Sequence, residues 1–106
     1  MAIDDGAAVH YAAVPKGVPV YSAEEQVVGT VVEVLDNYRE HIMDGVVFDD
    51  PDGVRRFVDA PEVARTAERG VTLNISAAEA ARLAPPGTGP GTGGAVKRLF
   101  GGLRRR

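Results

Sequence analysis

Gln26-Val27-Val28-Gly29-Thr30-Val31-Val32-Glu33-Val34-Leu35 holds five valines in ten residues. A β-branched side chain loses χ1 freedom against the preceding turn of a helix but packs well on a pleated surface, so this stretch predicts a strand. Gly29 within it predicts a bulge or a close approach of another backbone. Asp36-Asn37 is expected to break the run.

Working outward toward the N-terminus, Val9–Val14 is short, apolar and ended by Pro15 and Gly17, and reads as a strand. Val18-Pro19-Val20-Tyr21-Ser22 reads as another, with a proline that suits an edge or first strand position. Ala23-Glu24-Glu25 is the turn between it and the valine-rich strand. Toward the C-terminus, His41–Asp49 predicts the next strand, with Gly45 inside it. Asp49-Asp50-Pro51-Asp52-Gly53 is a turn by its chemistry: Asp accepts from backbone N–H groups two residues on, Pro presets φ, and Gly takes positive φ. Val54–Val58 then pairs back as a hairpin, and Asp59-Ala60-Pro61 closes that segment. Val71-Thr72-Leu73-Asn74-Ile75 alternates with period two, as a half-buried strand does. Ser76-Ala77-Ala78-Glu79 matches a capping box, in which the hydroxyl and the carboxylate each take a free backbone N–H at a helix start. A helix is expected from Ala77 to about Leu83, stopped by Pro85-Pro86.

Five or six short strands with one terminal helix predict a mainly β fold, a small barrel or sandwich. Its expected core is Val20, Val27, Val31, Val34, Ile42 and Val47 from the first half, with Phe57, Val58, Val63, Leu73, Ile75 and Leu83 from the second. The chain has 106 residues, 44% of them apolar and 25% charged, which is ordinary for one globular domain. No run of about 18 apolar residues is present to span a bilayer. Met1-Ala2-Ile3-Asp4-Asp5 is acidic and lacks the apolar stretch of a secretory signal, so a cytoplasmic location is expected. The absence of cysteine removes disulfides, thiolate metal sites and a cysteine nucleophile.

Charge is segregated. Residues 1–86 carry seven basic and fifteen acidic side chains, a net of −8, whereas 87–106 carry Lys97, Arg98, Arg104, Arg105 and Arg106 and no acid. A field divided in this way makes the body repel polyanions while the C-terminal end attracts them. Residues 1–84 read as a compact domain. Residues 85–94, Pro-Pro-Gly-Thr-Gly-Pro-Gly-Thr-Gly-Gly, have no side chain able to build a core and read as a Pro/Gly linker, and 95–106 as a basic amphipathic tail. A body of this size buries only about 60–65% of its unfolded surface, so completion by a homodimer or a protein partner is expected.

Gly17-Val18-Pro19-Val20-Tyr21-Ser22, a turn, and Val28-Gly29-Thr30-Val31-Val32-Glu33-Val34 together resemble the PRC-barrel pattern of an apolar strand, a turn and a strand of the type apolar-Gly-x-Val. Asp44-Gly45-Val46-Val47-Phe48 and Arg56-Phe57-Val58-Asp59-Ala60-Pro61-Glu62-Val63 are similar to that family's later strands, and Val71–Ile75 to its last. The resemblance spans roughly residues 9–84. It implies a small PRC-type β-barrel that acts as a protein-contact or assembly element, and it brings no catalytic residues. The first hairpin departs from the pattern, with Glu24-Glu25 where the family turns on Asp-Gly. Glutamate does not accept positive φ as glycine does, so a longer turn or one of another type is expected.

The residues able to carry chemistry have structural readings beside the functional ones. His10 and His41 lie in or next to strands with no partner at metal-site spacing, and read as surface or interface histidines. Asp49, Asp50 and Asp52 precede a glycine as in a Ca²⁺ loop, but the bidentate glutamate such a loop needs at its twelfth position is Pro61 when counted from Asp50. Gly89–Gly94 has the first half of a phosphate loop, yet Ala95 stands where the lysine belongs. Ser22 and Ser76 have no assigned base and read as a strand end and a helix cap. Asn74-Ile75-Ser76 is a glycosylation triplet with no secretion signal to expose it.

The tail carries the clearest functional pattern. Val96, Leu99, Phe100 and Leu103 fall at helical spacing, leaving Lys97 and the three terminal arginines to face elsewhere. Gly101-Gly102 weakens such a helix by about 2 kcal/mol relative to alanines. A solvated tail, a tail packed on its own acidic body, an anionic membrane, nucleic-acid phosphates and a partner's groove all remain open for it. The functional expectation is a non-enzymatic PRC-barrel-like protein-interaction module, or alternatively a tail-driven binder of anionic membrane or nucleic acid. No cofactor and no small-molecule substrate are implied.

Overall fold

The computed structural model describes residues 3–37, 39–40 and 42–86. Its centre is one sheet of six strands: β1 (Pro19–Tyr21), β2 (Val27–Asn37), β3 (Ile42–Asp49), β4 (Arg55–Asp59), β5 (Val63–Ala67) and β6 (Gly70–Leu73). They lie in the order β4-β3-β2-β1-β6-β5. All neighbours are antiparallel except β1 and β6, which run parallel with Val20 opposite Val71. Among the described residues a single short α-helix, α1 (Ala77–Ala80), follows β6. The fold is therefore mainly β, as the valine pattern predicts, and its sheet is open: β4 and β5 are edges that do not pair with each other.

One face of the sheet holds the core. Val20, Val28, Val31, Val46, Phe48, Val58, Val71 and Leu73 meet there with Ala80 of α1. Side chains of directly paired residues share a face, so Val31 opposite Phe48 and Val34 opposite Val46 bring β2 and β3 into the same layer. Fully burying one such side chain stabilises the fold by about 1.5–3 kcal/mol. Gly29 has the double role its position suggests. The register skips Val28 between β1 and β2, which places a bulge beside the glycine. A methyl on Gly29 would also stand 2.6 Å from Cδ2 of Phe48, so the missing side chain makes room for the ring.

Both sheet edges are covered by neighbouring chain, which removes the free ladder groups that invite aggregation. At β4, the Phe57 N–H donates to the Ala84 carbonyl at 2.9 Å and the Arg56 guanidinium to the Leu83 carbonyl at 2.7 Å. At β5, the Val9 N–H donates to the Thr66 carbonyl and the Glu68 N–H to the Ala7 carbonyl, each at 3.0 Å. Asp5, only 5% exposed, takes a two-pronged ion pair from Arg65 at 2.9 and 3.3 Å and fastens this N-terminal segment.

Several expectations are corrected. Val9–Val14 is not a strand: Tyr11–Ala13 forms a single 3-10 turn, because the His10 ring accepts the Ala12 N–H and caps it, and only Ala8 makes an isolated bridge, to Ala67. Asp36-Asn37 does not end β2; both pair with β3, and Asn37 turns the chain by accepting the N–H groups of Arg39 and Glu40. Val27 and Ile42 are 56% and 54% exposed, not core, because each lies near an end of the β2 ladder on the face away from the core. Val63–Ala67 forms a strand of its own, and Ile75 lies past the end of β6. The capping box forms with both of its bonds, but the helix it starts ends at Ala80, short of Leu83.

The first hairpin is longer than two residues, as Glu24-Glu25 predicts. Three residues separate Ser22 from Gln26, whose carbonyl accepts the Ser22 N–H at 2.8 Å. Glu25 nevertheless takes positive φ, +68°. A three-residue loop closes with its last residue left-handed, and here a glutamate fills that place at the cost of some strain.

Candidate interaction surface

The register of β2, β3 and β4 fixes which side chains share the face opposite the core. Thr30, Asp49 and Arg55 form one cross-strand row, Glu33, Val47 and Phe57 the next, and Leu35, Gly45 and Asp59 the third. Because the Phe57 N–H points away from β3 toward Ala84, Val47 and Phe57 form a non-hydrogen-bonded pair, the kind in which opposed side chains approach most closely. Val47 is 3% exposed although it does not belong to the core cluster, and Phe57 is half-buried. Leu35 and Val32 are half-buried and also stand outside that cluster. Ile42 extends the same face at the far end of the hairpin.

Acids ring this apolar centre. Glu33 and Asp59 flank Val47, Phe57 and Leu35, and Arg55 is the one cation on the three rows. It is spent on Asp49, to which it makes a fork of two bonds at 2.9 and 3.2 Å. That contact holds the Asp49 carboxyl below its ordinary range, and the same bond raises Arg55. What remains is an apolar patch with net negative charge beside the place where the chain leaves the described body at Pro86.

The other chemistry-bearing residues are engaged structurally. Asp50 accepts the N–H groups of Asp52 and Val54 at 2.9 Å each and pairs with Arg56 at 2.9 Å; the Val54 bond, ahead of the ion pair, holds its carboxyl low. With Gly53 at φ +83°, the segment is the expected turn, and among the described residues no cluster of three metal-ligating side chains occurs. The fully buried Ser22 hydroxyl accepts the N–H groups of Glu24 and Gln26, so it organises the first hairpin. The Ser22 hydroxyl and then the Ala77 N–H lower the Glu24 carboxyl, tying this turn to α1. Ser76 caps α1, and Asn74 donates to the Pro61 carbonyl.

A depression of about 330 Å³ lies between the 3-10 turn and β2, lined by Tyr11, Ala12, Val14, Lys16, Glu33, Val34 and Asp36. Its phenol donates to Asp36 at 3.2 Å, and burial, followed by the Asp36 charge, raises Tyr11 above its ordinary value. A phenol held protonated against a carboxylate pins two segments together; it is a poor base and a poor nucleophile.

Lys97, Arg98, Arg104, Arg105 and Arg106, with Val96, Leu99, Phe100 and Leu103, lie outside the described residues, as do His41 and Gly89–Gly94. Val47 is buried as its sequence predicts and Phe57 partly so, but both lie on the face opposite the main core cluster, which the pattern alone does not separate. A signal of two covered faces was present: Val46-Val47-Phe48 shows no polar alternation, as expected of a strand covered on both sides.

Among the described residues no helix is long and apolar enough to cross a membrane. No family model and no curated protein matches the chain. The fold and surface thus define a mainly β domain of one open six-stranded sheet with an acidic, apolar-centred outer face.

Proposed function

We propose that the chain is a non-catalytic protein-interaction module of the PRC-barrel type, and that it engages its partner through the outer face of β2, β3 and β4. The observation that carries this reading is the apolar content of the outer face: half-buried Leu35 and Phe57, beside buried Val47, lie outside the core cluster and share their cross-strand rows with Glu33 and Asp59. Apolar surface rimmed by charge is the ordinary anatomy of a contact site. The residue resemblance over 9–84 and six strands ending in a short helix support the family assignment. The structural engagement of Ser22, Ser76, His10 and Asp50 supports binding over catalysis.

Charge selects the partner's chemistry. A second copy brought onto this face would set Glu33 and Asp59 against like charges, which costs several kcal/mol at close range. An apolar segment bearing Lys or Arg meets the face favourably. The test is affinity capture with the full chain and with Phe57→Asp, each checked for its β-type circular dichroism. Partners captured by the wild type and lost by the folded variant are the expected result. An unchanged partner set would refute the assignment of this face.

A further inference from the structure

We infer that the outer face of β2, β3 and β4 is occupied in the full chain by its own residues 95–106, so that an outside partner must displace them. This rests on the reading of that face as a docking surface and names the chemistry that fills it.

Three observations converge on this occupant. The first is charge. Glu33 and Asp59 stand beside the apolar centre while Arg55, the one cation on the three described rows, is engaged by Asp49. Residues 95–106 carry five basic side chains and no acid. The second is apolar content. Leu35 and Phe57 are the half-buried side chains of the patch, beside buried Val47, and Val96, Leu99, Phe100 and Leu103 recur at intervals that allow one side of the segment to meet it.

The third is placement. Leu83 and Ala84 are bonded to Arg56 and Phe57 on the β4 edge, so the chain leaves the body next to the patch. Val96 is the tenth residue after Pro86. A Gly-rich chain of that length has a root-mean-square span of about 16–19 Å. Crossing from β4 to β2 takes only about 10 Å. A short tether of this kind sets an effective concentration in the millimolar range, so an intrinsic Kd of about 1 mM already fills the face about half the time.

The alternatives separate cleanly in one experiment. The chain has no cysteine, so Gly102→Cys gives a single position for a nitroxide label on the full-length protein. The expected result is loss of amide signal at Leu35, Val47 and Phe57, with Arg65 and Thr66 on the opposite edge unaffected. The loss should disappear in the exposed double variant Glu33→Lys/Asp59→Lys, and weaken at about 1 M salt, where the screening length falls to about 3 Å. Any one of three results overturns the inference: no loss on the sheet, loss centred on β5 and β6, or loss that persists undiminished when labelled and isotope-enriched molecules are separate chains in one mixture. Failure here with partner capture still sensitive to Phe57→Asp removes the tail and leaves the docking face. Failure of both removes the face itself.

Discussion

The ring of Phe57 lies across Gly45: a methyl group on that glycine would stand 2.5 Å from Cζ and 2.7 Å from Cε1. The two residues occupy adjacent rows of the outer face, Phe57 opposite Val47 and Gly45 opposite Asp59. The ring therefore uses the space of an absent side chain to lie flat on the sheet. On the core face Phe48 uses Gly29 in the same way.

Gly45→Ala should thus destabilise the domain, although replacing glycine inside a strand ordinarily gains about 0.5–1 kcal/mol from chain entropy. The added methyl meets both the Phe57 ring and the Val58 carbonyl oxygen. Overpacking of this kind costs about 1–3 kcal/mol and decides the sign. Urea unfolding should show a lower midpoint with little change of slope.

Core and rim positions of the sheet should separate sharply. Phe48→Ala removes a fully buried ring and should cost about 3–5 kcal/mol, a large part of the stability of a domain this size. Val27→Thr, at a position 56% exposed, should stay within about 0.5 kcal/mol of the wild type. Equal losses at the two sites would contradict the assigned facing of Val27 on β2 and Phe48 on β3.

Glu25→Gly should stabilise. The left-handed backbone at φ +68° costs a glutamate about 1–2 kcal/mol, and glycine relieves it while adding some unfolded-state entropy. The balance is a gain of about 0.5–1 kcal/mol, read as a raised thermal midpoint.

Acid should unfold the domain through its paired carboxylates. The Arg65 hydrogen bond, ahead of the opposing burial, holds Asp5 below its ordinary 3.8. Asp49 and Asp50 are lowered as well, by Arg55 and by the Val54 N–H respectively. A carboxyl whose value is lower in the folded state contributes its full stabilisation above its unfolded value and loses it as pH falls through the folded one. Stability should be level near neutral pH and decline below about pH 4. Asp5→Asn should flatten part of that decline, measured as urea midpoint against pH.

The strands were legible where local chemistry leaves one choice. Five β-branched valines between Gln26 and Leu35 exclude a stable helix, the Asp50–Gly53 turn carries its own hydrogen bonds, and Ser76 with Glu79 caps α1 from within four residues. The body's acidity and the tail's opposing charge were equally plain. Less legible was the 3-10 turn at Tyr11–Ala13, whose apolar composition suits a strand but whose His10 ring caps it locally.

Composition and short-range spacing thus determined that this chain makes a β domain with turns at these places, because backbone sterics and side-chain-to-backbone bonds act within a few residues. Which apolar residues form the core and which the outer face was settled only by register. The bulges at Val28, at Val32 and at Asp44 shift the pairing of β1, β2 and β3 by one residue each, and with a side-chain period of two every such step moves residues from one face to the other. Pairing is a long-range choice, and so Val47 and Phe57 reach the outside of a sheet whose inside the same run of sequence also builds.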